Sequence, residues 1–418
     1  MPETNPGVNP CAGPGAGLGA DPGLGLPRLP ELSLPERTLL GPGPSNVHPR
    51  VLRALSYPCI GHLDPAFIEV MNGTVELLRH LFRTRNRLTM PVSGTGSAGM
   101  EAALVNFIEP GDTVVVGVNG LFGERMCDIA GRSGARLVRV DAPWGEPLDR
   151  HRLLETLARN PGAKALCVVH AETSTGVLQP LDGLGRACRE HGALLIVDAV
   201  TSLGGVPVET DAWGLDVVYS GTQKCLSCPP GLAPLTASER AVEVLKARRT
   251  KVQSWYLDLP MLVSYWGTDR FYHHTAPTNM IIGLHEALRL IAEEGLGTRH
   301  ARHRRNGRAL LAGLRAMGLE PFAREEFRIP MLLSVKVPDG VDDLAVRKDL
   351  LERCSVEIGG GLGPTKGKIW RIGLLGHSSQ RENVTLVLGG LEAALRRQGF
   401  TVDKGAGIAA AETAYEEE

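Results

Sequence analysis

The sequence predicts an α/β protein, with a large domain built on a mainly parallel sheet between helices and a smaller C-terminal α+β domain. Short, continuous apolar runs rich in β-branched residues alternate with helical segments through the first part of the chain, as in parallel strands buried on both faces. In the second part the helices become longer and amphipathic, and the strands are few and short. No internal repeat accompanies this change.

The individual elements follow in chain order. The predicted strands of the large domain are DTVVVGV, ARLVRVD, AKALCVVH, ALLIVDAV and LDVVYSG. The helices between them are FGERMCDIAGRSG, DRHRLLETLARN and PLDGLGRACREHG. The smaller domain is predicted from the helices LHEALRLIAEEGL, HARHRRNGRALLAGLRAMG and RENVTLVLGGLEAALRRQG and the strands PMLLSVKVP and IWRIGLLG.

These patterns divide the chain into four parts. Residues 1–35 are rich in Gly, Pro and Leu without periodicity, which predicts a disordered arm. The large domain is expected over 36–283, with its N-terminal segment reaching the small domain, and the small domain over 284–402. Residues 403–418 are predicted to form an unstructured acidic tail.

Composition limits the classes of partner. The chain has 418 residues and a formal net charge of −1, which gives no electrostatic case for nucleic acid or a membrane surface. No apolar run approaches the ~20 residues that span a bilayer. Eight scattered cysteines and the lack of a signal-peptide pattern predict a reduced, cytoplasmic protein.

Cys225 and Cys228 form a C-x-x-C motif. A zinc site would need a second such pair, which the sequence lacks, so no metal is expected. Either the pair is redox-active, or the two cysteines are small residues that line a pocket.

Lys224 is the first candidate for chemistry. It stands in YSGTQKCLSCPPG, after a predicted strand, with no charged neighbour between Asp216 and Glu239. It is either a chance surface residue or an amine held in a dry pocket, where it would be nucleophilic.

Asp198 is the second candidate and ends the strand ALLIVD. Its carboxylate either caps the next segment or pairs with a cationic ring nitrogen. In the second case its charge would favour the protonated form of that nitrogen.

Two further features lie at or beyond predicted strand ends, the edge where open parallel sheets bind ligands. SGTGSAGMEAAL leads into a helix whose free N–H groups favour a phosphate, with Thr95 and Ser97 as hydroxyl donors, unless it is only a turn. Arg371, between apolar residues in WRIGLLG, needs a partner, either a substrate carboxylate or a structural acid. A phosphate loop, an acid and a lysine in this arrangement together describe a pyridoxal phosphate site.

Several stretches, in order, carry a family resemblance: GPGPSN, SGTGSAGMEAALVN, ETSTGVLQPLDGLG, VDAVTSLGG, YSGTQKCLSCPPG, FYHHTAP and GGLGPTKGKIWRIGLLG. Over about 360 residues the chain resembles the class V, fold-type I, pyridoxal phosphate-dependent aminotransferases, close to the alanine–glyoxylate and serine–glyoxylate group. The resemblance implies a seven-stranded, mainly parallel sheet in the large domain and a homodimer.

The resemblance also implies site residues. Lys224 and Asp198 would be catalytic, as the Schiff-base lysine and the partner of the pyridine nitrogen. The implied cofactor-binding residues are Thr95, Gly96, Ser97, Phe122, Thr173, Asp198, Val200, Gln223 and Lys224, with Tyr272 and Thr275 reaching the phosphate of the partner subunit. Arg371 would hold the substrate carboxylate, and Gly43, Pro44 and Ser45 would close the pocket.

The implied reaction moves an amino group from a small L-amino acid, alanine or serine, to glyoxylate by ping-pong kinetics, giving glycine and a 2-oxo acid. Another class V enzyme, a phosphonate transaminase or a lyase, is the alternative. A cysteine desulfurase would need a cysteine in the loop before Arg371, and GGGLGPTKGKIWRIG has none. A cofactor-free scaffold would tolerate the loss of Lys224 or Asp198, and both are present.

Overall fold

A computed structural model describes residues 29–417. Of the predicted disordered arm, 1–35, residues 1–28 therefore lie outside the described residues. Residues 29–36 belong to a separate unit, Met1–Glu36, and form neither helix nor strand. All remaining elements belong to the unit Arg37–Glu418.

The strands of the described residues are β1 Thr38–Leu39, β2 Leu88–Ser93, β3 Thr113–Val118, β4 Arg136–Asp141, β5 Ala165–Val169, β6 Ala171–Glu172, β7 Val177–Leu178, β8 Leu194–Asp198, β9 Val217–Tyr219, β10 Leu232–Ala237, β11 Leu332–Lys336, β12 Val356–Glu357, β13 Gly359–Gly360 and β14 Ile369–Gly373. The α-helices are α1 Pro49–Leu55, α2 Pro65–Phe82, α3 Gly96–Val105, α4 Leu121–Arg132, α5 Arg150–Arg159, α6 Leu184–Glu190, α7 Thr210–Trp213, α8 Glu239–Lys246, α9 Leu259–Trp266, α10 Thr278–Glu294, α11 Leu296–Ala316, α12 Asp343–Cys354, α13 Arg381–Arg397 and α14 Ala406–Glu416.

The central sheet has seven strands in the order β2-β10-β9-β8-β5-β3-β4. Strands β9, β8, β5, β3 and β4 are parallel to one another, while β10 is antiparallel to both β2 and β9. Because β10 is the single reversed strand of this sheet, the other six have their carboxyl ends at one edge. This sheet confirms the predicted mainly parallel α/β fold.

The C-terminal part has its own sheet and core. Strands β11, β14 and β13 form an antiparallel sheet, and β1 pairs in parallel with β12. The buried apolar residues form one large cluster that extends from Val51 to Leu296 and a second that comprises Leu40 and residues between Ala309 and Tyr415. The expected boundary after residue 283 falls inside α10, whose buried face belongs to the larger cluster, so the two cores separate after Leu296.

The end of the chain differs from the expectation. The predicted unstructured acidic tail over 403–418 contains the helix α14, and that prediction is wrong for residues 406–416. The helix packs on α11 through buried Ala411, Ala414 and Tyr415, and the Tyr415 hydroxyl donates a hydrogen bond to Asn306 Oδ1 at 2.7 Å. Its buried face is made largely of alanine and glycine, which give little apolar signal although they allow two helices to approach closely.

Membrane crossing receives no support from the described part of the chain. Among the helices of residues 29–417, none has both the length and the apolar character that a membrane span requires.

Candidate active site

A cavity of about 190 Å³ lies at the carboxyl edge of the central sheet. The predicted cofactor-binding residues that line it are Thr95, Gly96, Ser97, Phe122, Thr173, Asp198, Val200, Gln223 and Lys224. Sequence reasoning did not name its other lining residues, which are Met100, Arg125, Val169, Ala171 and Thr201. The strand order explains the convergence, because β2, β5, β8 and β9 all end at this edge and deliver residues from distant parts of the chain.

A larger cavity, of about 480 Å³, lies between α1, α10 and α11. The two arginines in its wall, Arg299 and Arg302, are both paired with Glu294 at 2.6 Å. Both guanidinium groups are therefore already paired with a carboxylate, and the smaller cavity, which Lys224 lines, is the better candidate for chemistry.

Lys224 is held in a dry position in the loop between β9 and β10. Its side chain is 8% exposed, and its ammonium donates a hydrogen bond to the carbonyl oxygen of Pro42. Burial, assisted by the positive charge of Arg371, lowers the pKa of Lys224 to about 8. At pH 7 about a tenth of the amine is therefore neutral, far more than for an ordinary lysine, and the neutral amine is the nucleophile.

The segment Gly43–Ser45 lies against this lysine. A Cβ on Gly43 would meet Lys224 Cδ at 2.6 Å, and the φ of +108° also favours glycine. The Ser45 hydroxyl donates to the carbonyl oxygen of Lys224 at 2.8 Å, and the Ser45 N–H donates to that of Gln223 at 2.9 Å. Gly43, Pro44 and Ser45 thus lie beside the lysine loop, and Ser45 holds its backbone; a contact of these three residues with substrate stays a prediction.

Asp198 ends β8 and is 3% exposed. Its Oδ1 accepts a hydrogen bond from Val200 N at 2.8 Å, and its Oδ2 accepts one from the Tyr219 hydroxyl at 2.9 Å. Burial raises the pKa of Asp198 to about 6. The next helix, α7, begins only at Thr210, so Asp198 caps no helix and its carboxylate faces the cavity.

Tyr219 was missed by sequence reasoning. It is fully buried, and it pairs in register with Asp198 across β8 and β9, which puts both side chains on the same face of the sheet. The signal available in the sequence was its place at the end of a strand, five residues before Lys224.

The start of α3 is suited to an anion. Its N-cap residue, Thr95, makes no side-chain capping bond, so the first N–H groups keep their donor capacity. Ser97 Oγ accepts a hydrogen bond from Arg125 Nη1 at 3.1 Å, which adds a cation. Gln223 Oε1 is buried and has no hydrogen-bond partner among residues 29–417. A phosphate at α3 and a bound polar group beside Gln223 would satisfy these atoms, so the residues present fit pyridoxal phosphate.

Arg371, on β14 of the C-terminal sheet, is not among the residues that line the cavity, but it bonds to the lining residue Thr173. It is 6% exposed, its Nε donates to Gly360 O at 2.8 Å and its Nη1 donates to Thr173 O at 3.2 Å. Burial lowers its pKa to about 10, still well above neutrality. No carboxylate of residues 29–417 forms an ion pair with Arg371, which favours a substrate carboxylate over the structural acid.

Tyr272 and Thr275 do not line this cavity. Both lie on the segment between α9 and α10 with exposed side chains, and Tyr272 is 53% exposed. Their neighbour His274 does reach the central sheet, where its Nε2 lies 2.8 Å from Ser93 Oγ at the end of β2. Contact of Tyr272 and Thr275 with a partner's phosphate stays a prediction.

The C-x-x-C gives no support to redox chemistry. Cys225 and Cys228 are buried free thiols, and burial raises their pKa values to about 11 and about 12. The protonated thiol is a poor nucleophile. Cys354, the cysteine nearest to the loop before Arg371, is the last residue of α12.

A buried lysine of lowered pKa, an acid facing it across the cavity and an anion site at a helix start define a pyridoxal phosphate-dependent enzyme. The family Aminotransferase class-V matches residues 46–379, and the chain belongs to this family of pyridoxal phosphate-dependent aminotransferases.

The chain is similar to two kinds of glyoxylate transaminase, which are named for different amino donors. The chain is 43% identical over 400 residues to the (S)-ureidoglycine–glyoxylate transaminase of Bacillus subtilis, covering 91% of this chain and 96% of the relative. It is 43% identical over 366 residues to the alanine–glyoxylate aminotransferase of Callithrix jacchus, covering 87% and 88%. The crystal structure of an alanine–glyoxylate aminotransferase from Nostoc sp. is 51% identical, with a TM-score of 0.87, covering 88% of this chain and 98% of that one.

Proposed function

We propose that this aminotransferase moves the amino group of a small L-amino acid to glyoxylate, giving glycine and a 2-oxo acid. The observation that carries the proposal is the place of Arg371, a buried guanidinium that forms no ion pair within residues 29–417, bonds to the cavity residue Thr173 and lowers the pKa of Lys224 by its charge. One cationic anchor of this kind fits a substrate with a single carboxylate, as short amino and oxo acids have. The names of the relatives support glyoxylate as the acceptor.

Each residue has a defined task in this reaction. Bound pyridoxal phosphate supplies an electron sink for the bond that breaks at the donor Cα. The amine of Lys224 would hold the cofactor and, when free, would serve as the base that takes the proton from the donor Cα. Asp198 would hold a proton on the ring nitrogen by charge, and Arg371 would orient the substrate through its carboxylate.

The amino donor is the open part of the proposal. Alanine and serine are the donors that we expect, and (S)-ureidoglycine is the second candidate because the Bacillus subtilis relative is named for it. Initial rates of the purified protein should be measured for these three donors and 2-aminoethylphosphonate, each against glyoxylate and pyruvate. Glycine formation from glyoxylate with parallel double-reciprocal lines is expected. Absence of glycine with every donor would refute the proposal and leave another class V reaction.

The lowered pKa of Lys224 predicts a pH dependence for cofactor loading. The neutral amine attacks the cofactor aldehyde, so the rate of covalent loading of apo-protein should rise between about pH 6 and pH 9 with a midpoint near the Lys224 pKa of about 8. The positive charge of Arg371 helps to lower that pKa, so Arg371→Gln should move the midpoint to higher pH. Stopped-flow absorbance would measure the rate, with the exposed Arg353→Gln as control. An unmoved or lower midpoint in Arg371→Gln contradicts the assignment.

We also propose that the enzyme is a homodimer in which Tyr272 and Thr275 complete the partner's phosphate site. Their exposed hydroxyls lie on the same segment as exposed Phe271, and exposed Trp255, from before α9, stacks on His273 of that segment, which supports this arrangement. Subunits carrying Lys224→Ala should be mixed with subunits carrying Tyr272→Phe and Thr275→Ala. The mixed dimer then holds one site with both defects and one with neither.

The intact site of the mixed dimer is expected to bind cofactor as tightly as wild type and to restore about half of its activity per dimer. If cofactor titration finds no tight site, the two hydroxyls act within their own subunit or do not touch the phosphate.

The compartment is part of the same proposal. The cysteines within residues 29–417 are all free, and burial raises the pKa of five of those seven above that of an ordinary thiol, namely Cys127, Cys167, Cys188, Cys225 and Cys228. This supports a reducing, cytoplasmic location.

A further inference from the structure

The helix α4 brings two residues to the cavity but has no cap of its own. Phe122 and Arg125 both line the cavity from its first turns, and the Arg125 guanidinium carbon lies 5.0 Å from the Phe122 ring centroid. The N-cap residue is Gly120, which offers no side-chain acceptor. The first N–H groups of any helix need acceptors from elsewhere.

Glu172 and Ser174 supply those acceptors from a distant segment. Glu172 Oε2 accepts a hydrogen bond from Phe122 N at 3.0 Å, and the N–H of Gly123 lies near enough to act on the pKa of the same carboxyl group. Ser174 Oγ accepts one from Leu121 N at 2.9 Å. Glu172 Oε1 in turn accepts from Ser174 N at 3.1 Å and from Ser174 Oγ at 2.6 Å.

These bonds suit an ionised carboxylate. Both oxygens of Glu172 only accept hydrogen bonds, from N–H and O–H donors, as an ionised carboxylate does. The helix dipole also stabilises a negative charge at the start of a helix. Full burial raises the pKa of Glu172, while the bonds from Ser174, Phe122 and Gly123 act in the opposite direction. A Cβ on Gly120 would lie 2.4 Å from Glu172 Cγ, so glycine is what lets the carboxylate approach the helix.

The residue between the two acceptors faces the cavity. Thr173 lines it, and its carbonyl oxygen accepts the hydrogen bond from Arg371 Nη1 at 3.2 Å. The negative charge of Glu172 also opposes the effect of burial on Arg371, whose pKa it raises. The tripeptide Glu172–Ser174 is therefore connected on one side to the helix of Phe122 and on the other to Arg371.

We propose that Glu172 is a positioning residue, which fixes the ring of Phe122 and the guanidinium of Arg371 relative to each other so that cofactor and substrate bind in register. This inference rests on the cofactor site of the proposed function. It assigns to Glu172 no contact with substrate or cofactor, and its effect passes through α4 and through the Thr173 carbonyl.

Glu172→Gln tests the proposal, because the amide turns one acceptor oxygen into a donor that faces N–H or O–H donors. The matched control is Glu109→Gln, since Glu109 is also buried and its Oε1 accepts from Arg249 N, Thr250 N and Thr250 Oγ1 at 2.8–2.9 Å, away from the cavity. Thermal stability, the cofactor Kd, the visible circular dichroism of the bound cofactor and the donor KM and kcat should be measured for both variants as holoenzymes.

Both variants are expected to lose thermal stability. Only Glu172→Gln should weaken cofactor binding, by about tenfold, change the circular dichroism of the bound cofactor and raise the donor KM more than it lowers kcat. Glu172→Asp, which keeps both acceptor oxygens, should recover part of each effect. Where Glu172→Gln does not fold, Ser174→Ala, which removes the acceptor of Leu121 N, should weaken cofactor binding by about threefold.

If Glu172→Gln has the same cofactor Kd and circular dichroism as Glu109→Gln, the proposal is overturned. If Ser174→Ala has to be used in place of Glu172→Gln, wild-type values in Ser174→Ala overturn it. The cofactor Kd and the circular dichroism are measured without substrate, so they do not depend on which donor and acceptor the enzyme uses. If the wild-type enzyme does not use glyoxylate, the proposed function is refuted, while these two measurements still test the role of Glu172.

Discussion

Lys224→Ala is expected to lower kcat for transamination by about 10⁴-fold or more, since it removes the proton-transferring amine and the covalent attachment together. Lys224 is the lysine that lines the cavity, with its ammonium against the Pro42 carbonyl and its pKa lowered to about 8. No other lysine lines that cavity to replace it. Glycine formation under saturating cofactor would measure the loss.

The same variant should still bind pyridoxal phosphate non-covalently. The start of α3, the Asp198 carboxylate and Val200 are unchanged by the substitution, so equilibrium dialysis should find bound cofactor that borohydride does not fix to the protein. A small primary amine, added at high concentration, should recover part of the activity by entering the vacated space. The control is Lys246→Ala, because Lys246 is exposed on α8 and pairs with Glu243. Activity within tenfold of wild type in Lys224→Ala would remove it from the mechanism.

The central fold was predictable because its strands are buried on both faces. The strand β8, Leu194–Asp198, is buried at every position, and its sequence is apolar up to its last residue. A continuous apolar run of this length is typical of a strand that is covered on both faces of the sheet. The helix α14 was not predictable in the same way. Its contact with α11 depends on small residues, among them Gly407, whose added Cβ would lie 3.0 Å from Met317. Such contacts depend on close approach in three dimensions and leave a weak periodic signal.

The site divides along a similar line. Residues at the ends of strands, such as Asp198, or just beyond them, such as Lys224, could be found because the chain pattern alone places them at one edge of the sheet. Tyr219 acts through strand register and Glu172 through a contact between distant segments. The position of either residue along the chain does not show which group it bonds. The hydrogen bond from the Ser45 hydroxyl to the main chain of Lys224 is likewise a contact between distant segments, and the expected closing of the pocket by Gly43, Pro44 and Ser45 stays a prediction.

The second large effect is expected for Asp198→Asn, which should slow removal of the donor α-hydrogen by about 10²- to 10³-fold while the fold is retained. The amide can still accept from Val200 N, but it carries no charge with which to hold the proton of a ring nitrogen. Exchange of the α-hydrogen of alanine with deuterated solvent, followed by NMR, measures this step without a full turnover.

Tyr219→Phe separates the charge of Asp198 from its hydrogen bonding. The phenylalanine keeps the carboxylate and the ring packing and removes only the hydroxyl that donates to Asp198 Oδ2 at 2.9 Å. A single hydrogen bond to a charged group contributes about 1.5–3 kcal/mol, and part of that loss is offset because the freed oxygen can accept from the bound cofactor. The exchange rate should therefore fall by about tenfold or less, well short of the loss in Asp198→Asn. If both substitutions slow exchange equally, the orientation of Asp198 matters more than its charge; if Asp198→Asn exchanges at the wild-type rate, the carboxylate does not serve the ring nitrogen at all.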